Sequence, residues 1–403
     1  MSYKDLLEKK AKAWNCPDML RSVKDRVEKI PLSSPLVNWL LYGGIPRGRI
    51  VEFLGEESGG KTTSAIDLCH NAVNLFKREQ EARVQEYREL VAKGKKEYQG
   101  PLEDMLDQGP KAVVYWDIEH TFDWEWANKM GLKEGDIDVA QPGNVGGEDI
   151  CQAIEEIART SEVGLIVMDS IPSLVTKAEW EKKYGERTVS SLAGLMTTFM
   201  RKMEYVCAQN DCTLVLINQT RDNMDNPYVI QTPGGRAIKF YATTRLYFRK
   251  GNPLDFAGNE LPMNTENPAG YKITVKLMKQ KGAPFDRKVA SYYLMAQSGI
   301  RPDFDYAKLA VDKYGIIKKA SAWFTMCDPF TGEVLCDNTG KPIKVNGMLR
   351  VYDYLKDNPE YYEKVKMFIT NDINGVDAQL DDVLPENFEY KFDTESIGGE
   401  ENV

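Results

Sequence analysis

The sequence predicts an α/β protein with a mainly parallel central sheet. From 49 to 295, strand-sized apolar runs alternate with longer helical patterns. The first run opens into a glycine-rich octamer followed by a helix. The last three runs follow one another with no helix between them, which predicts an antiparallel edge.

In chain order, residues 1–30 read as one or two amphipathic helices before Pro31, within an N-terminal helical segment over 1–35. The core spans 36–298. Its strand candidates are Arg49–Leu54, Ala112–Trp116, Ile137–Ala140, Gly164–Met168, Thr213–Asn218, Thr244–Phe248, Tyr271–Met278 and Val289–Met295. Helical patterns cover 61–76, 148–160 and 191–208. The stretch 77–110 is dense in charge, with Val84, Tyr87 and Val91 at helical spacing, and reads as a charged helical insertion with one narrow apolar stripe. A small α+β C-terminal domain is expected over 299–370, with turns at Asp328-Pro329 and Thr339-Gly340 and a helix near 359–370.

Charge is unevenly placed. The net charge is −9, yet residues 371–403 hold ten acids and one base, so residues 1–370 balance at 51 of each. The acidity belongs to a tail and does not exclude nucleic-acid binding by the body. The longest apolar runs are far short of the ~18 residues of a membrane helix, and the charged N-terminus lacks a signal-peptide core. The seven cysteines are scattered, as suits a reducing cytoplasm, although Cys327 and Cys336 could be neighbours across a hairpin. Two histidines, His70 and His120, are too few for ordinary zinc or histidine-dependent hydrolase chemistry.

The octamer Gly55-Glu56-Glu57-Ser58-Gly59-Gly60-Lys61-Thr62 fits G-x-x-x-x-G-K-[ST]. A chain of this length holds ~0.01 such octamers by chance at average residue frequencies. Backbone N–H groups of such a loop cradle phosphates, Lys61 reaches the β- and γ-phosphates, and the Thr62 hydroxyl ligates Mg²⁺. The run 164–168 ends in Asp169, the position of a Mg²⁺-holding acid in P-loop ATPases. A second strand leads into Asp117-Ile118-Glu119-His120, where Glu119 is either a water-activating base or a surface acid. The strand 213–218 leads to Gln219, a candidate γ-phosphate sensor. Behind it, 221–235 shows no periodicity. Its Arg221, Tyr228 and the following Arg236 offer phosphate contact and base stacking, or the segment is a plain mobile loop.

In this order the pieces resemble the RecA family of homologous-recombination ATPases. The resemblance rests on 44–52, the loop at 55–62, Asp117–Asp123, Met168-Asp-Ser-Ile-Pro-Ser-Leu, Ile217-Asn-Gln-Thr-Arg, 234–242, Lys279–Phe285, Ala322-Trp-Phe and 355–360, across roughly 30–370. It implies a P-loop RecA-type core, an oligomerising N-terminal segment, and an ATP- and Mg²⁺-dependent enzyme. Such an enzyme forms a helical filament on single-stranded DNA, pairs it with double-stranded DNA, and works in a bacterial or phage-infected cytoplasm. Loader or single-strand-binding proteins are further candidate partners.

By resemblance, Glu119 is the water-activating glutamate and Gln219 the sensor. Gly55 to Thr62 with Thr63 hold the nucleotide, Asp123 and Trp126 its adenine. Lys279, Lys281 and Lys239 reach ATP across a subunit interface. The DNA loops are 178–191 and 221–235, with Arg201, Arg221, Tyr228, Thr232, Gly234, Gly235 and Arg236 as contacts. The sequence departs from the bacterial pattern at Val189, Gly194 and Ala296, in a second loop about two residues shorter, and in the 77–110 insertion. A hexameric helicase and a regulatory P-loop ATPase with a protein client are the rival readings.

Overall fold

The computed structural model describes residues 2–13, 27–183, 191–220, 231–284 and 286–375. The chain divides into two units, Met1–Tyr306 and Ala307–Val403.

The first unit opens with α1 (Tyr3–Ala13). Helix does not extend to residue 30, because Lys29–Ile30 forms strand β1. Pro31 disfavours a helical conformation at Ile30. After α2 (Pro35–Leu40), β1 pairs antiparallel with β2 (Ile45–Pro46).

Strand β3 (Ile50–Gly55) is buried along its whole length and leads to α3 (Lys61–Ala92). This single helix of 32 residues runs through the first half of the charged insertion. It is followed by α4 (Gln99–Gln108). Val84 is buried, and Tyr87 meets Tyr98 edge-on, so the narrow stripe of the insertion is used for packing. Arg47 anchors the base: it is buried, bonds Glu79 and Asp211 at 2.6 Å each, and lies over the Phe76 ring.

Next come β4 (Ala112–Asp117), α5 (Trp124–Lys129), β5 (Asp138–Ala140), α6 (Gly147–Arg159), β6 (Val163–Asp169) and α7 (Lys177–Trp180). They are followed by α8 (Ser191–Asn210), β7 (Thr213–Gln219), α9 (Ala237–Tyr241) and β8 (Thr244–Leu254). The unit's sheet closes with β9 (Gly270–Gln280), β10 (Val289–Met295) and β11 (Gly299–Ile300).

Nine strands lie in the order β11-β10-β9-β8-β3-β7-β6-β4-β5. From β8 to β5 all neighbours are parallel, and from β8 to β11 they are antiparallel, as expected of the final runs. Strand β8 outlasts its predicted end at Phe248. Its register shifts near Lys250 and its later residues are partly exposed, so the apolar signal fades before the pairing does. Alternation along β6 sends Leu165 and Val167 into one core with Val51, Phe53, Ala65 and Leu68. Ile166 and Met168 join a second core with Ile154, Met200 and Met203. Helices therefore cover both faces of the sheet.

In the second unit, Ile317–Ala320, Trp323–Met326 and Lys344–Asn346 form an antiparallel three-stranded sheet. Two helices follow, Met348–Asp357 and Pro359–Asn374. Tyr361 donates its hydroxyl to the Cys327 carbonyl at 2.9 Å. Cys327 pairs with Val334, and Cys336 with Pro342, so the two cysteines do not face each other across a hairpin. No described helix is long and apolar enough to cross a membrane.

Candidate nucleotide site and neighbouring strand ends

The glycine-rich loop leaves the middle of the sheet. Gly55 ends β3 with φ +151°, and a Cβ there would stand 2.2 Å from the Phe248 carbonyl oxygen of β8, so no side chain fits. Glu56, Glu57 and Ser58 are exposed, whereas Gly59 is buried. Gly60 takes the left-handed conformation (φ +92°) and caps α3. Lys61 Nζ donates to the carbonyls of Gly55 at 3.0 Å and Glu56 at 2.5 Å. Burial pulls this amine below the ordinary lysine value, and Asp169 and Glu119 oppose that pull.

Strand β6 brings its terminal acid to the same place. Thr62 Oγ1 donates to Asp169 Oδ2 at 2.9 Å, and the buried Tyr115 hydroxyl donates to the same oxygen at 2.7 Å. Burial lifts the Asp169 carboxyl to about 6. The turn after β4 is tied to this strand end, because the N–H groups of Ile118 and Glu119 donate to the Asp169 carbonyl at 2.7 and 3.2 Å. Asp117 holds the turn from inside: its carboxylate accepts from the N–H groups of Thr121 and Phe122 and from Gln141 Nε2. Glu119 accepts from the hydroxyls of Ser170 and Ser173. A lysine, a hydroxyl and two carboxylates from three segments thus converge on the loop.

Gln219 ends β7 in register with Gly55, and Thr220 N donates to the Gly55 carbonyl at 3.2 Å. Beneath it lies a buried set that sequence reasoning missed. Arg245 Nε donates to Glu52 at 2.5 Å, and Asn218 Nδ2 donates to Glu52 at 3.0 Å and to the Pro233 carbonyl at 3.2 Å. Asn218 therefore links Glu52 of the loop's strand to the chain just after 221–230. The only signal for it was a charged residue inside an otherwise apolar strand.

Trp126 Nε1 donates to Thr63 Oγ1 at 3.2 Å, which sets the indole against the first turn of α3. The Asp123 carboxylate caps α5 through the Glu125 N–H at 2.8 Å.

The remaining lysines stand elsewhere. Lys279 Nζ donates to the carbonyls of Lys239 at 2.6 Å and Phe240 at 2.9 Å, and Lys281 N donates to the Thr243 carbonyl at 3.0 Å. Thr244 is in register with Gln280 on one side and Val51 on the other. Val51 is four residues before Gly55, or roughly 13 Å along the strand. Lys279 and Lys281 therefore flank the end of β3 opposite its own phosphate loop.

Of the DNA candidates, Arg201 is exposed on α8. Gly234 and Gly235 have φ values of +83° and +76°, and a Cβ on Gly234 would meet Ile238 at 2.7 Å. Thr232 is half-buried and Arg236 exposed before α9. Arg221, Tyr228 and Val189 lie outside the described residues.

Comparison with known proteins identifies the family. The profile of the RecA N-terminal domain matches residues 104–301. It begins after most of the insertion, leaving the loop at 55–62 outside the match. The chain is 32% identical over 349 residues to Protein RecA of Thermus aquaticus, covering 85% of each chain. It is 33% identical over 347 residues to Protein RecA of Thermus thermophilus, again with 85% of each covered. It is 32% identical over 348 residues to Protein RecA of Bifidobacterium longum, with 85% of this chain and 72% of that one covered. At this identity over this much of both lengths, the chain belongs to the RecA family.

Proposed function

We infer that the protein is an ATP-dependent DNA recombinase and DNA-dependent ATPase. It polymerises on single-stranded DNA, pairs that strand with a homologous duplex and promotes strand exchange. The observation that carries the reading is the convergence of Lys61, Thr62, Asp169 and Glu119 on one loop, in a chain a third identical to several proteins named Protein RecA.

Thr62 and Asp169 present a hydroxyl and a carboxylate 2.9 Å apart, hard oxygen donors of the kind Mg²⁺ takes. When bound, Mg²⁺ neutralises charge on the β- and γ-phosphates. Lys61 leaves its carbonyl partners for the phosphate oxygens, exchanging neutral acceptors for charged ones. Glu119 takes the proton of the attacking water, held in place by Ser170 and Ser173. Gln219 meets the γ-phosphate and passes its presence to the 221–235 loop that follows it, whose far end the Asn218–Pro233 bond ties to β7. Trp126 and Asp123 hold the adenine. Lys279 and Lys281, too far along the sheet for their own loop, complete the site of the next subunit together with Lys239. Arg201, Arg221, Tyr228 and the 232–236 turn contact DNA, which is read by base pairing while the protein holds backbone and stacks between bases. Such an enzyme works in the cytoplasm, where loader or single-strand-binding proteins are its partners at filament entry.

Electron microscopy with ATP, Mg²⁺ and single-stranded DNA tests this reading. Open helical filaments are expected; closed rings would instead assign a hexameric helicase.

A further inference from the structure

A pair of buried hydroxyls lies beneath the phosphate loop. Ser64 Oγ and Tyr292 OH are 2.7 Å apart, and the two residues are 0% and 1% exposed. Ser64, in the first turn of α3, also donates its N–H to the Gly60 carbonyl at 2.9 Å. Tyr292 comes from β10, in register with Ile273 of β9. A Cβ placed on Gly60 would be 3.1 Å from Tyr292 OH and 3.2 Å from Ile273 Cγ2. The phenol and its strand neighbour thus form the surface on which the left-handed Gly60 rests, and Lys61 follows directly.

The chemistry is unusual for its surroundings. Tyr292, Phe248 and Ile273 belong to one apolar core, where phenylalanine would fill nearly the same volume as tyrosine. A buried hydroxyl is costly unless paired. Here each hydroxyl satisfies the other, and the pair spans the gap between β10, next to last in the sheet, and the phosphate-loop helix. Burial pushes the phenol well above its ordinary value, so the pair stays neutral at any pH used for assay.

We propose that the Tyr292–Ser64 pair is a positioning device for nucleotide: it holds Gly60 in the conformation that aims Lys61 at the phosphates. This rests on the reading of 55–62 as the ATP loop. A pair that shapes the cradle acts on bound ATP and on the transition state alike, so its loss raises KM more than it lowers kcat.

The test uses the full-length protein with Tyr292→Phe, Ser64→Ala, the double variant, and Lys61→Ala as control. Thermal midpoint, affinity for a fluorescent ATP analogue, and KM and kcat of DNA-stimulated hydrolysis are measured for each. Each single change strands one hydroxyl and lowers the thermal midpoint, whereas the double change removes both and restores most of it. Nucleotide binding should not follow stability: the double variant should keep a KM about 3- to 10-fold above the parent, with kcat within about 3-fold. Parental affinity and KM in the double variant, while Lys61→Ala has lost binding, would overturn this inference alone. Unchanged binding in Lys61→Ala would overturn the loop assignment and this inference with it.

Discussion

Thr62 and Asp169 are 107 residues apart in sequence and joined by a 2.9 Å hydrogen bond between side chains. The contact joins the first turn of α3 to the end of β6, and Tyr115 supports it from the neighbouring strand. Replacing Asp169 by Asn keeps the shape and removes the charge. The Mg²⁺ concentration for half-maximal hydrolysis should rise by at least ~10-fold, the lower end of what a lost metal-site residue costs. An unchanged Mg²⁺ titration would remove Asp169 from the metal site.

Glu119→Gln preserves shape and removes the base. Hydrolysis should fall by ~10²–10⁴, the range for a lost general base, while filaments still form. The variant is assayed for DNA-stimulated phosphate release and inspected by microscopy. Near-normal turnover would return Glu119 to the status of a strand-end acid.

Lys281→Ala should damage hydrolysis more than nucleotide binding by the monomer, because the lysine would act on its neighbour's ATP. Co-assembling Lys281→Ala with Glu119→Gln subunits creates some junctions where both groups are intact. Part of the activity lost by each variant alone should return in the mixture. Co-assembly without any recovery would count against action across an interface.

Tyr228→Ala should weaken single-strand affinity by roughly 1–3 kcal/mol if the ring stacks on a base. Fluorescence anisotropy with a labelled oligonucleotide measures this. ATP affinity without DNA is the control and should stay put; equal DNA affinity for variant and parent would remove Tyr228 from the interface.

Asp67 provides a pH test. It is fully buried on α3, accepts from the Ser33 N–H at 2.9 Å, and burial raises its carboxyl from 3.8 to about 6. An acid raised on folding favours the folded state while protonated. Its contribution is complete below 3.8 and is lost as pH climbs through about 6. Asn at this position does not titrate. The melting temperature of Asp67→Asn minus that of the parent should therefore grow as pH rises from 3.8 to about 6 and level off above that. A constant difference across that window would show that Asp67 does not titrate there.

Much of the architecture was legible in the sequence because its signals are local. All eight strand candidates are strands, and Gly55–Thr62, Asp169 and Gln219 stand at strand ends predicted from apolar runs and their breaks. What escaped is non-local. Tyr115, Ser64 and Tyr292 look like ordinary core or helix residues until a partner from another strand arrives. Glu52 with Arg245, 193 residues away, is visible only once β3 and β8 are paired. The strand at Lys29–Ile30 was hidden by helix-like spacing, although Pro31 carried the contrary signal.

Helix α3 has a mechanical consequence. It begins at the proposed phosphate-binding lysine and continues without a break for 32 residues, into the charged insertion. At 1.5 Å per residue it is a rod roughly 48 Å long, so a tilt of ~5° at its base sweeps the far end through about 4 Å. The insertion thus extends the lever rather than merely decorating the surface. A fluorophore placed at Lys95 would turn an angular change at the nucleotide, too small to follow directly, into a displacement that distance spectroscopy can read.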